Sequence, residues 1–143
     1  MFNLFVFYEV LLIASYGLLM HGGGPRRSRA ALHFVVLNLL GSSVFLVALA
    51  ALYAGTGTLN LADMALAVAA IEPGEAGLVR AGGLLLLVVF GFKAALLPLG
   101  FWLPGAYSAA SAPVACLFAI MTKVGVYSVM RVHTLVFLSL IHI

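Results

Sequence analysis

The sequence predicts an all-α fold, a polytopic bundle of about four transmembrane helices, and three observations support it. Hydrophobic residues make up 65% of the 143 residues and charged residues only 8%, whereas soluble domains carry about 25% charged residues. The mean hydropathy is +1.24. Four long apolar runs are separated by segments rich in glycine, proline or charge. So few charges cannot cover a water-exposed surface, and lipid is therefore the predicted solvent.

The first apolar run covers residues 2–20, which is about long enough to cross a ~30 Å hydrocarbon core at 1.5 Å per residue. It carries Glu9 and lacks the basic start and the cleavage site of a secretory signal. The segment HGGGPRRSR (21–29) follows, and we expect its three glycines and Pro25 to end the helix. Its three arginines predict a cytoplasmic loop, because short cytoplasmic loops are enriched in arginine and lysine.

The second run covers residues 30–54 and ends at GTGTLN (55–60). We expect its small and polar residues to serve helix packing, where small side chains permit close approach; they are Asn38, Gly41, Ser42 and Ser43. Residues 61–71 predict a short helix that cannot span the membrane and lies at the interface or on the bundle. EPGEAG (72–77) predicts a turn.

The third run, residues 78–107, is too long for one straight span. Pro98 lacks the N–H that a continuous helix needs, so we expect the helix to be broken there. The fourth run covers residues 113–137 and starts with a proline, which suits a first helical turn. Four helices alone cover the inward-facing polar groups poorly. The chain is therefore predicted to be a fragment of a larger subunit, with residues 138–143 a non-native tail.

Three ionisable residues, Glu9, Lys93 and Lys123, lie well inside these apolar runs. A charged side chain at the centre of a membrane helix costs roughly 2.5–3.5 kcal/mol on insertion scales. Such residues normally face the bundle interior and mark an ion pathway. The alternative for Glu9 and Lys123 is a structural ion pair, and for Lys93 it is a side chain that reaches back to the membrane surface.

Lys93 lies five residues before Pro98, beside the expected helix break. Irregular backbone at membrane depth is tolerated only where it contacts protein or a watery cavity. Burial and a nearby carboxylate shift the pKa of an amine in opposite directions, so an amine in this position can act as a switchable proton carrier. Lys123 could accept a proton from Lys93 through water. His133 is a candidate for the outer end of the route, although a residue at the membrane boundary is the more common role.

Other chemistry is not indicated. HGGGP lacks the strand–turn–helix setting and the lysine of a phosphate loop, the histidines lack the spacing of a metal site, and no cofactor is expected. The arginines cluster instead of spreading over a solvated face, which argues against a nucleic-acid partner. Cys116 is expected to pack in its apolar run, and Trp102 and Tyr107 fit an interfacial aromatic belt.

Residues 90–132 resemble the antiporter-like subunits of respiratory complex I and the Mrp-type cation/proton antiporters. The elements are a buried lysine, the LP helix break, WLP-x-AY, SAPV and a second lysine in the next helix, in this order and spacing. The opening FNLFVFYEVLLIASYGLLMHG, with its buried glutamate, is most similar to the D-type subunits of Mrp antiporters. The resemblance covers the chain to about residue 137.

The resemblance implies a full subunit of about fourteen transmembrane helices, of which this chain corresponds to the fifth through the eighth. In that family the glutamate of the fifth helix pairs with the lysine of the broken seventh, and the lysine of the eighth continues the route. These roles carry over to Glu9, Lys93 and Lys123. Two positions depart from the pattern, because Gly100 stands where histidine is common and Gly105 where aspartate is common.

The expected function is that of a transmembrane subunit in a multisubunit sodium (monovalent cation)/proton antiporter of the bacterial inner membrane. Its partners would be other subunits of the complex, protons, monovalent cations and lipid, and it would be a secondary transporter and not an enzyme. One alternative is a proton-pumping subunit of complex I or of a membrane-bound hydrogenase, where it would belong to a translocase. Another is a structural membrane subunit without transport.

Overall fold

A computed structural model describes residues 1–72 and 74–137. No strand occurs among these residues, so the predicted all-α class is confirmed. A 3-10 turn, Leu99–Trp102, separates α4 from α5. The predicted tail at 138–143 lies outside the described residues. The predicted turn at 72–77 lies partly outside them. The helices are α1 Phe2–Met20, α2 Pro25–Thr56, α3 Leu61–Ala70, α4 Gly77–Lys93, α5 Leu103–Ala109 and α6 Ala112–Val136.

Three of the described helices, α1, α2 and α6, are long and apolar enough to cross a membrane. Large apolar side chains cover the outside of the bundle; Phe7 is 72% exposed and Leu66 is 73% exposed. An apolar outer surface of this kind matches a lipid environment. The short helix α3 packs against α6 through the buried Met64 and Val68.

The connection between α1 and α2 differs from the one predicted from the sequence. We expected Pro25 to help end α1, but it occupies the first turn of α2, where its missing N–H has no partner to lose. The three glycines at 22–24 make the turn instead, with φ between +64° and +99°, conformations that glycine adopts without steric cost. Consequently α2 begins five residues before the predicted 30–54 span, and the arginines lie on its first turns.

The third span is interrupted, as predicted, but the break begins before Pro98. In a continuous helix the ring of Pro98 would meet the carbonyl of Ala94, four residues earlier. The helix α4 ends at Lys93, and Ala95 follows with a positive φ of 55°. The chain continues through the 3-10 turn into α5, which lies against α2.

Two apolar clusters enclose the middle of the bundle. Tyr8 and Phe90 belong to the cluster that includes Phe45 and Leu86. One helical turn further along α1, Leu12 belongs to a second cluster that includes Phe34, Phe92, Trp102 and Phe118. The middle of the bundle is therefore lined mainly by apolar side chains.

The contact between α4 and α6 depends on Gly125. A Cβ added there would lie 2.6 Å from the Ala94 nitrogen and 2.9 Å from the Lys93 carbonyl carbon, and backbone atoms cannot rotate away. We expect Gly125→Ala to lower the free energy of unfolding by about 1–3 kcal/mol, measured as a lower Tm of the purified full-length complex.

The matched control for that substitution is Gly17→Ala in α1. Gly17 has no atom within 4 Å of an added Cβ, so this variant is expected to keep or slightly raise the Tm, because alanine favours helix more than glycine does. Equal Tm values for the Gly125 and Gly17 variants would contradict the close approach of α6 to the end of α4.

Candidate functional site

Glu9 lies in the middle of α1, beside the helix face that is buried through Tyr8 and Leu12. Its side chain is 23% exposed. Ser42 of α2 is buried and donates a hydrogen bond from Oγ to Glu9 Oε1. The carboxylate is thus held against α2 and faces the interior of the bundle.

Lys93 is the last residue of α4, and its side chain is only 3% exposed. Its Nζ lies 4.0 Å from Glu9 Oε1 and 3.5 Å from Ser42 Oγ, to which it donates. The same Nζ lies 5.2 Å from the centroid of the Tyr8 ring, within the range of a cation–π contact. Sequence positions 9, 42 and 93 therefore meet in one buried cluster, which we call the Glu9–Ser42–Lys93 cluster.

The spacing within the cluster is suited to proton transfer. A direct charge-assisted hydrogen bond between an amine and a carboxylate is about 2.7–2.9 Å long, so the 4.0 Å separation of Lys93 and Glu9 is a loose ion pair. The Ser42 hydroxyl contacts both groups. Because a hydroxyl can donate and accept at once, it provides a hydrogen-bonded path between amine and carboxylate.

The helix break supplies two further features at Lys93. The last carbonyls of a helix carry partial negative charge that favours a cation, and Lys93 occupies the last position of α4. Trp102 Nε1 donates to the Phe92 carbonyl at 2.9 Å, which also accepts from the Ala95 N–H at 3.0 Å. Trp102 is only 4% exposed, so its predicted place in an interfacial belt is wrong; its indole stabilises the break.

A small internal cavity of about 10 Å³ adjoins the cluster, close to the space that one water molecule needs. Its lining includes Lys93, Tyr8 and Asn38. The sequence indicates only packing roles for Asn38 and Ser42. Ser42 accepts from the amine, and Asn38 lines the cavity while its amide donates to the Phe34 carbonyl. Their i, i+4 spacing, which places two polar residues on one face of α2, is the signal that could have found them.

Lys123 and His133 do not join the cluster. Lys123 is exposed on α6, on the same face as Ile120 and Tyr127, which are 61% and 58% exposed. His133 is half-buried, and its Nε2 has no hydrogen-bond partner within the described residues. The roles proposed from sequence for these two residues stay predictions.

The two glycines that depart from the family pattern differ structurally. A Cβ on Gly100 would lie 2.5 Å from the Ala95 carbonyl oxygen, so a side chain there requires the backbone at the break to move. An added Cβ on Gly105 meets no atom within 4 Å. The first glycine is thus required by this backbone, whereas the second leaves open space.

A family model described as NADH:quinone oxidoreductase/Mrp antiporter, TM, matches residues 1–143. The chain is 53% identical over 137 residues to a probable K(+)/H(+) antiporter subunit of the D type from Rhizobium meliloti. It is 47% identical over 139 residues to the corresponding Na(+)/H(+) antiporter subunit from Bacillus subtilis. Both alignments cover 96% of this chain but only 25% and 28% of the relatives, so the chain spans about a quarter of their length.

Two solved structures have the same helix arrangement. A chain of the Mrp complex from Dietzia sp. gives a TM-score of 0.83 at 34% identity, covering 95% of this chain and 26% of that one. A chain of the membrane-bound sulfane sulfur reductase, an archaeal respiratory membrane complex, gives 0.82 at 36% identity, covering 94% and 27%. With the three helices of spanning length, these similarities identify a multi-pass membrane protein.

Proposed function

The chain belongs to the NADH:quinone oxidoreductase/Mrp antiporter transmembrane family, and from this premise we propose that it works within a multisubunit antiporter exchanging sodium or another monovalent cation for protons. The observation that carries the proposal is the buried amine of Lys93, which ends α4 within 4.0 Å of the Glu9 carboxylate. The relatives named as subunits of K(+)/H(+) and Na(+)/H(+) antiporters support the antiporter assignment.

In the proposed cycle, Lys93 alternates between a protonated state paired with Glu9 and a deprotonated state. Ser42 supplies the hydrogen-bonded path between the two groups, and the break before Pro98 lets the amine reach buried water. Lys123 continues the route on the other face of α6, toward helices of the larger subunit. His133 is proposed as the outer end of this route.

We further propose that the protein lies in the bacterial inner membrane with the 21–29 segment in the cytoplasm. The arginines at 26, 27 and 29 support this orientation through the positive-inside tendency. The segment joins α1 to α2, so α1 would run from outside to inside and α2 back again.

The function is tested with the full-length complex expressed in a bacterium that lacks its own sodium and potassium antiporters. Everted membrane vesicles are energised to form a pH gradient, which a fluorescent dye reports. We expect added NaCl or KCl to dissipate the gradient, because cation entry would be coupled to proton exit from the vesicle. An assembled complex that leaves the gradient unchanged with both salts would contradict antiport.

A proton-pumping subunit of a redox-driven complex is the second candidate. This candidate is supported by the TM-score of 0.82 with a respiratory membrane complex, which is nearly equal to the 0.83 with the Mrp complex. In this case the subunit would belong to a translocase. The pump would be supported by neighbouring genes for quinone-reductase or hydrogenase subunits and by a pH gradient that forms when the electron donor is added. Neighbouring genes for small Mrp-like subunits would support the antiporter.

Ser42→Ala is expected to slow antiport about tenfold without abolishing it. The substitution removes the hydroxyl between amine and carboxylate, and a hydrogen bond to a charged group contributes about 1.5–3 kcal/mol. The matched control is Ser43→Ala, because the exposed Ser43 bonds only to the Leu39 carbonyl of its own helix. Equal initial rates of dye recovery for the two variants would contradict the role of Ser42.

A further inference from the structure

A large groove opens between the start of α2 and α5. One cavity of about 640 Å³ is lined by Arg26, Arg29 and His33 on α2 and by Gly105 and Ser108 on α5. The three basic residues lie three and four positions apart, so they share one helix face. An adjoining cavity of about 340 Å³ shares Arg26 and Ser108 and extends the groove.

The positive charge of the groove has no counterpart among residues 1–72 and 74–137. Within the described part of the molecule, Arg26 and Arg29 make no side-chain hydrogen bond or ion pair, whereas Arg27 donates to the His21 carbonyl at 2.8 Å. The sequence contains four acidic residues. Glu9 belongs to the buried cluster, and the other three lie in α3 or in the segment between α3 and α4, at the opposite end of α2; they are Asp63, Glu72 and Glu75.

The position of the groove indicates the kind of anion that would offset this charge. The 32 residues of α2 extend about 48 Å at 1.5 Å per residue, well beyond a hydrocarbon core of about 30 Å. Because the apolar run of α2 begins at residue 30, after the three arginines, we place the first turns of α2 at the level of the lipid headgroups. Basic pockets between transmembrane helices at that level bind anionic headgroups.

We propose that this groove binds the phosphodiester headgroup of an anionic phospholipid. Arg26 and Arg29 supply the positive charge and the hydrogen-bond donors. Ser108 lies on the opposite wall, where its hydroxyl donates to the Gly105 carbonyl at 3.2 Å. The apolar walls formed by Ala30 and Ala109 suit the first carbons of a lipid. The volume is within the about 300–1,000 Å³ of small-molecule sites. The site is separate from the Glu9–Ser42–Lys93 cluster, so it does not depend on the proposed antiport.

The first test measures binding of short-chain phosphatidylglycerol to the delipidated full-length complex by native mass spectrometry. Arg26→Gln combined with Arg29→Gln is expected to raise the Kd about thirtyfold, because each arginine near an anionic surface contributes several-fold. Arg131→Gln, which removes an exposed arginine near the other end of the bundle, is expected to change the Kd less than about twofold. Equal Kd values for the two proteins would overturn the proposal.

The second test leaves both arginines in place. Because an added Cβ on Gly105 meets nothing within 4 Å, Gly105→Asp introduces a carboxylate into the groove without a clash, and Gly105→Asn introduces the same shape without charge. We expect the aspartate variant to bind phosphatidylglycerol at least about tenfold more weakly than the asparagine variant. Equal binding by these two variants would overturn the proposal. If the double arginine variant fails to assemble, this second comparison alone tests the proposal.

The lipid source is distinguished from a free anion by competition. Inorganic phosphate and phosphatidylcholine are each added to the wild-type complex loaded with phosphatidylglycerol. We expect neither to displace it at equal concentration, because the site holds both the anionic headgroup and its first carbons. Displacement by inorganic phosphate at that concentration would show a simple anion site and overturn the lipid proposal.

Discussion

Replacing Lys93 with alanine in the full-length subunit is expected to reduce antiport to background while the subunit still inserts and assembles. The substitution removes the only amine within reach of Glu9 and Ser42 in the described residues, so the proposed carrier is lost. Insertion should persist, because a buried amine opposes membrane insertion and alanine does not. The measurement is cation-dependent dye recovery in everted vesicles, with complex assembly checked by size-exclusion chromatography.

Lys93→Arg is the companion variant. Arginine keeps a positive charge opposite Glu9 but does not release its proton in proteins. If Lys93 carries protons, the arginine variant assembles and remains inactive. Near-normal antiport by either variant would show that proton release from Lys93 is not part of transport.

Glu9→Gln is expected to lower the antiport rate about a hundredfold or more. Glutamine has nearly the same shape and can still accept the hydrogen bond of Ser42, but it removes the charge that faces Lys93. A hundredfold loss corresponds to about 2.7 kcal/mol in the barrier of the proposed proton transfer, because about 1.36 kcal/mol is a factor of ten in rate. The initial rate of dye recovery at saturating cation measures the effect.

Asp63→Asn provides the matched control for this carboxylate. It makes the same chemical change, loss of one carboxylate charge, on the exposed side of α3, so this variant is expected to keep the wild-type rate. Loss of activity in both variants would indicate a general effect of charge on the complex. Wild-type rates in both would remove Glu9 from the pathway.

The fold was predicted most accurately at α1 and α6, each of which is a single uninterrupted apolar run. The predicted bounds of α1 match those observed, and α6 lies within one residue of its prediction. The predicted start of α2 is wrong because proline can begin a helix as readily as end one, and the glycines make the turn. The break is expected at Pro98 but begins after Lys93, because the proline ring excludes the turn before it.

The candidate site was only partly predictable. Glu9 and Lys93 could be found singly, because charge inside an apolar run is visible in the sequence. The i, i+4 spacing of Asn38 and Ser42 marks a polar face of α2, but the bridging position of Ser42 depends on the packing of α1, α2 and α4, which the sequence does not show. Lys123 is expected from sequence to follow Lys93, yet it is exposed on α6, since none of the described helices covers that face.

Exchanging the two charges, Glu9→Lys together with Lys93→Glu, tests most directly whether Lys93 transports protons or only holds the helices together. The exchange keeps an acid–amine pair across α1 and α4 but moves the amine from the helix break to the middle of a continuous helix. We expect an assembled complex whose cation-dependent proton exchange is at background. Transport at the wild-type rate would refute proton transport by Lys93 and would identify the pair as structural.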